Sequence, residues 1–223
     1  MRTRVKICCI KSREEAALAV TQGADAVGLV SAMPSGPGPI PEARIAGIAA
    51  GVPPGVAAVL LTSLREPAAI AAQQRRCGAG VIQLCRALPD GAHAALRAAL
   101  PGVRLVQVIH VRDEASVDEA RLAAAGADGL LLDSGDPEAA VPVLGGTGRV
   151  HDWSISRRIV EAADRPVFLA GGLTPENVAV AIAAVRPFGV DVCSGVRTGG
   201  RLDAVKLAAF LAAVRRADAD LAE

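Results

Sequence analysis

Apolar residues along this chain fall into short continuous runs, each followed by a longer Ala-rich segment whose polar positions recur at helical spacing. A short apolar run bounded by Gly, Pro or Asp suits a strand buried on both faces, and the segment after it suits a helix laid over one face. Read this way, strands are predicted at Arg4 to Cys9, Ala26 to Val30, Gly55 to Leu61, Gly80 to Leu84, Arg104 to His110, Gly129 to Leu132, Val167 to Ala170 and Gly189 to Val192. Ser12 is placed to cap the first helix with Glu15 in the capping-box position, a helix opens at about Glu42, and Asp203 starts the closing one. Ser31 to Pro41, dense in Gly and Pro, is the least regular stretch.

Eight strand and helix pairs in 223 residues predict one α/β domain over 1–223, an eight-stranded parallel β/α (TIM) barrel. An open doubly wound sheet is the runner-up. It places a Gly-rich fingerprint after its first strand, where this chain has Cys8, Cys9 and Lys11. Barrel chemistry sits at the carboxyl ends of the strands, which singles out those three residues, the loop to Pro41, Cys85, Arg86, His110 and Asp133. Strands seven and eight end in Gly171 with Gly172 and in Ser194 with Gly195. Glycine lets backbone N–H groups approach an oxyanion, so two such turns side by side predict a phosphate cradle, whereas either alone reads as a tight turn.

Alternation along the first strand puts Lys6 and Cys8 inside the barrel and Val5 and Ile7 outside, with Cys8 and Cys9 on opposite faces. In strand eight Asp191 turns inward, and closure makes strands one and eight neighbours. Lys6 and Asp191 are therefore predicted to face each other, since a buried ammonium needs a partner. Such a pair can be purely structural; alternatively Lys6, one step below Cys8, favours the thiolate.

Composition removes several functions. The net charge is +1, with three Phe, one Trp and no Tyr, so neither a basic face nor stacking aromatics point to nucleic acid. MRTRVKICCIK has too few apolar residues for a signal peptide and no run reaches membrane-spanning length, which predicts a cytoplasmic protein with no membrane partner. Five cysteines without framework spacing predict neither disulfides nor a structural zinc, and Cys77 and Cys193 read as small apolar fillers. His93, His110 and His151 lack metal spacing, so no metal is expected.

The segments VKICCIK, LLLDS, GGTGRVHDW, LAGGLTPENV and VDVCSGV resemble the phosphoribosylanthranilate isomerase family, whose usual forms run KICGIT, LLDS, GGTGxxFDW, AGGLxPENV and VDVSSGVE. They occur in family order over nearly the whole chain. The resemblance implies a barrel of tryptophan biosynthesis that uses no cofactor. Its reaction is the Amadori rearrangement of an N-(5-phosphoribosyl) arylamine to a 1-amino-1-deoxyribulose 5-phosphate. By the same resemblance Cys8 matches the general base and Asp133 the general acid. Gly171, Gly172, Ser194 and Gly195 match the phosphate loops, and Gly145, Gly146, Thr147 and Gly148 the mobile loop after strand six. The implied partner is a small phosphorylated ribosylamine, and the implied state a monomer or homodimer.

Several positions depart from the family pattern. Cys9 replaces a Gly, Lys11 a Thr, and Pro37 falls where an Arg holds the anthranilate carboxylate. Leu84, Cys85 and Arg86 replace LHG, and Arg197 replaces a Glu. Acid-base and phosphate positions are kept while the amine side is rewritten, and Asp191, which keeps the family residue, is grouped with the substrate-side loop residues Lys11, Arg86, Gly145 to Gly148 and Arg197. Lys11, Arg86 and Arg197 are the candidate replacement cations. The alternatives are a paralogue for another ribosylamine or ribosyl phosphate, and a non-catalytic phosphate-binding barrel, against which the retention of Cys8 and Asp133 argues.

Overall fold

Runs such as AVGLV and GLLLD bury nearly every residue, which a sheet allows only when both of its faces are covered. The computed structural model describes residues 2–135, 144 and 150–222. Eight parallel strands close into a barrel in chain order: β1 (Arg4–Ile7), β2 (Ala26–Val30), β3 (Ala57–Thr62), β4 (Val81–Leu84), β5 (Arg104–His110), β6 (Gly129–Asp133), β7 (Val167–Leu169) and β8 (Gly189–Val192). The covering helices are α1 (Arg13–Gln22), α2 (Glu42–Ala49), α3 (Pro67–Cys77), α4 (Ala92–Ala99), α5 (Ala115–Gly126), α6 (Trp153–Ala162), α7 (Val178–Val185) and α8 (Ala204–Asp220). Pairing of β1 with both β2 and β8 completes the ring. Among the described residues no helix is long and apolar enough to cross a membrane.

Alternation along the strands divides the core in two. Val5, Ile7, Leu29, Leu60, Leu130 and Val190 point outward and pack with helix residues such as Ile45, Ile159, Ile182 and Phe210. Full burial of each large side chain of this kind contributes roughly 1.5–3 kcal/mol. Ala26, Val59, Val108 and Leu131 fill the barrel interior, joined near the top by Cys8, Cys85 and Ala170.

Local signals at the helix ends act much as the sequence suggests. Ser12 Oγ accepts from the Glu15 N–H at 3.2 Å. The Glu15 carboxylate passes over the Ser12 N–H expected in a capping box and accepts from the Lys11 N–H at 2.9 Å. Asp203 caps α8 through the N–H groups of Val205 and Lys206.

Two details differ from the predicted elements. β1 stops at Ile7, because Cys9 adopts a left-handed φ of 60°. The chain therefore leaves the extended conformation before Cys8 and Cys9 can point to opposite faces, and their sulfurs lie 3.9 Å apart in the same interior cluster. A short antiparallel pair, β9 (Arg197–Thr198) and β10 (Arg201–Leu202), also stands between β8 and α8. Its turn residues Gly199 and Gly200 have φ of 57° and 75°, the conformation a two-residue hairpin loop requires.

Candidate active site

Beneath the site lies the ion pair expected from strand alternation. Lys6 and Asp191 are register partners across β1 and β8, and Lys6 Nζ lies 2.9 Å from Asp191 Oδ2, with side chains 4% and 8% exposed. Burial opposes the Lys6 ammonium, but attraction to Asp191 and to the Cys8 sulfur outweighs it and raises the Lys6 pKa above its ordinary value. Cys8 stands one alternation step above, its N–H donating to the Val192 carbonyl at 2.8 Å. Gly28 on β2 makes room for it: a Cβ there would lie 3.0 Å from Cys8 Sγ.

Asp133 ends β6 and lines the same pocket as Cys8. Its Oδ1 accepts from the Ser134 N–H at 2.7 Å. Its carboxyl is nevertheless pushed up to about 6, first by burial and then by the Asp191 carboxylate, against the pull of the Ser134 N–H and the Lys6 charge. A partly protonated carboxyl and a thiol therefore share one cleft, the pairing that acid-base chemistry near neutral pH needs.

The rim is formed by Gly171, Gly172, Leu173 and Ser194. Gly171 and Gly172 have φ of 84° and 63°, which turns the chain sharply after β7. Asn177 locks that turn, donating from Nδ2 to the Gly172 carbonyl at 2.9 Å and accepting at Oδ1 from the Thr174 N–H at 2.8 Å. A Cβ on Gly195 would collide with the Leu173 carbonyl oxygen, so the two turns pack at a distance that only glycine permits. Both predicted glycine turns thus reach the same side of one pocket.

Residues 5–213 match the family model of N-(5'-phosphoribosyl)anthranilate (PRA) isomerase. The chain belongs to this family. It is 37% identical over 205 residues to the N-(5'-phosphoribosyl)anthranilate isomerase of Methanocella arvoryzae, covering 92% of this chain and 94% of that one. It is 40% identical over 211 residues to the enzyme of the same name from Natronomonas pharaonis, covering 94% and 96%. Among solved structures, the phosphoribosyl anthranilate isomerase of Thermotoga maritima superposes with a TM-score of 0.82 at 31% identity, covering 96% of this chain and 99% of that chain. A phosphoribosyl anthranilate isomerase in complex with reduced 1-(o-carboxyphenylamino)-1-deoxyribulose 5-phosphate superposes with a TM-score of 0.80 at 29% identity, with the same coverage.

The departures of this chain from its family's motifs take on structural meaning. Pro37 lines the pocket with Met33, Ser35 and Gly36, so the position of the family Arg is on the wall but carries no charge. None of the three candidate replacement cations is on that wall. Arg197, with a side chain 7% exposed, is drawn instead to Glu15 at 3.1 Å and to the Cys8 and Cys9 carbonyls at 3.1 and 2.6 Å. It fixes the backbone that presents Cys8, a positioning task. Lys11 lies on the outer surface beside Arg13 and Arg44, and Arg86 follows β4 with its carbonyl accepting from Gln107. Among the described residues no Lys, Arg or His lines the pocket. Gly145, Gly146, Thr147 and Gly148 lie outside the described residues.

Two pocket residues escaped the sequence reading. Gln83, buried on β4 and facing the pocket, was marked by a lone polar residue in an apolar run. Cys193 is no filler: it lines the pocket and its Sγ lies 2.7 Å from that of Cys9. Cys77, in contrast, is fully buried in the outer core. None of the histidines lines the pocket: His110 Nε2 lies 3.2 Å from the carbonyl of the pocket residue Cys85, His151 Nε2 lies 2.7 Å from Ser156 Oγ, and His93 packs on Gly126.

Proposed function

We propose that this isomerase converts N-(5'-phosphoribosyl)anthranilate to 1-(o-carboxyphenylamino)-1-deoxyribulose 5-phosphate, with Asp133 as general acid and Cys8 as general base. The observation that carries this reading is the placement of Asp133 and Cys8 on one pocket whose rim is the pair of glycine turns. The phosphate sits on the N–H groups around Gly172 and Ser194, which fixes the ribose between β1 and β6. Asp133 delivers its proton to the ribose ring oxygen as the amine lone pair forms the iminium and the ring C–O bond breaks. The iminium makes the C2 proton acidic, and the Cys8 thiolate removes it. The resulting enolamine takes a proton at C1 and collapses to the ketone, so the isomerisation consumes no redox equivalent.

The site supports this division of labour electrostatically. Asp191 helps keep Asp133 protonated, while the Lys6 ammonium, paired with Asp191, lies close enough to the Cys8 sulfur to interact with it. The test is to incubate the purified protein with phosphoribosylanthranilate and follow the product by chromatography. Turnover abolished in Asp133→Asn and Cys8→Ser supports the assignment. A folded wild-type protein that gives no product refutes it.

A further inference from the structure

Three cysteine sulfurs meet at the top of β1 and β8, and the Amadori chemistry uses only one of them. Cys9 Sγ lies 2.7 Å from Cys193 Sγ and 3.9 Å from Cys8 Sγ. The first separation leaves the two sulfurs well under an ångström from the ~2.05 Å of a disulfide bond. The family's usual motifs have Gly and Ser at these two positions, and here both are Cys and both reach one spot. The surrounding backbone is shaped to hold the Cys9 sulfur. Cys9 sits at φ 60°, rarely adopted by a residue with a side chain, and a Cβ on Gly38 would lie 2.8 Å from Cys9 Cβ. The Cys9 thiol also donates to the Pro37 carbonyl at 3.5 Å. Both residues line the pocket wall, Cys193 partly exposed and Cys9 buried behind it.

We propose that Cys9 and Cys193 form a dithiol modification site that a peroxide converts to a reversible disulfide, tying the end of β1 to the end of β8 beside Cys8. The Cys193 sulfur attacks the peroxide, the O–O bond breaks, and water leaves as Cys193 becomes a sulfenic acid. The Cys9 sulfur then attacks the sulfenyl sulfur, forming the S–S bond and expelling hydroxide, which takes up the Cys9 proton as a second water. Two thiols lose two electrons and two protons, and hydrogen peroxide accepts all of them. The roles follow from the surroundings: Cys193 is the partly exposed sulfur and lies near the Arg197 guanidinium, while Cys9 is buried between Cys193, Cys8 and the Pro37 carbonyl. A dithiol reductant reverses the bond by exchange.

The test needs no catalytic readout, so it stands apart from the substrate assignment. The full-length protein is treated with hydrogen peroxide, free thiols are alkylated after unfolding, and peptides are mapped by mass spectrometry without reduction. A cross-link from Cys9 to Cys193, with Cys8 alkylated, is expected. It should persist in Cys8→Ser, vanish in Cys193→Ser and in Cys9→Ala, and revert with dithiothreitol. Because the bond spans most of the chain, the oxidised protein should melt about 5–10 °C above the reduced form. Complete alkylation of both cysteines after peroxide, or a cross-link through Cys8 instead, overturns the proposal.

Discussion

Replacing Asp133 by Asn should make the protein more stable and far less active, with the gain in stability confined to neutral and alkaline pH. The Asp133 carboxyl rises from the ordinary 3.8 to about 6, chiefly because its charged form is desolvated. A carboxyl whose folded pKa is raised binds its proton more tightly in the folded state than in the unfolded one. Its favourable contribution is complete below about pH 4, the unfolded value, and is lost as pH climbs through about 6. Two pKa units correspond to about 3 kcal/mol at most, and because Asp133 is partly exposed at the pocket mouth, screening should leave about 1 to 2 kcal/mol. Asn keeps the shape and an oxygen for the Ser134 N–H but cannot ionise. Urea unfolding of both proteins from pH 4 to pH 8 should therefore give equal stabilities at the acid end and a difference of about 1 to 2 kcal/mol in favour of Asn above pH 7. Turnover should fall by about 10² or more over the same range. A stability difference that does not change with pH would refute the claim that desolvation of this carboxylate is the cause.

Cys8→Ser should lower kcat by about 10² or more with little change in KM, measured by steady-state kinetics, because a hydroxyl is a far weaker base than a thiolate. Gly195→Ala should push the two phosphate turns apart at the Leu173 carbonyl, raising KM about tenfold or more, while inorganic phosphate loses its competitive inhibition. Arg197→Ala leaves Glu15 and the Cys8 and Cys9 carbonyls without their cation, which should cost about 3 kcal/mol in chemical denaturation. Since no described cation lines the pocket, exchanging the substrate's carboxylate for an amide should change kcat/KM by less than about tenfold, against about 10 to 100 for a pairing with Arg. A larger loss would show that a cation does meet the carboxylate.

The order and type of the strands and helices were legible in the chain, because apolar runs, caps and glycine breaks act over a few residues and leave a periodic trace. The same periodicity sufficed to set Lys6 against Asp191: alternation chose their faces and barrel closure made their strands neighbours. It failed where the backbone leaves the regular period. Cys9 reverses into positive φ one residue past Cys8, so alternation assigned it to the wrong face and its meeting with Cys193, far along the chain, left no local signal. The chemistry of Arg197 was visible as a cation replacing an acid, but its direction was not. Glu15 and two carbonyls just past the end of β1 draw its guanidinium away from the pocket, a competition among partners brought together only by closure. Likewise the raised pKa of Asp133 belongs to no pattern of residue types, because it arises from the desolvation and neighbouring charges that the closed barrel imposes on that side chain.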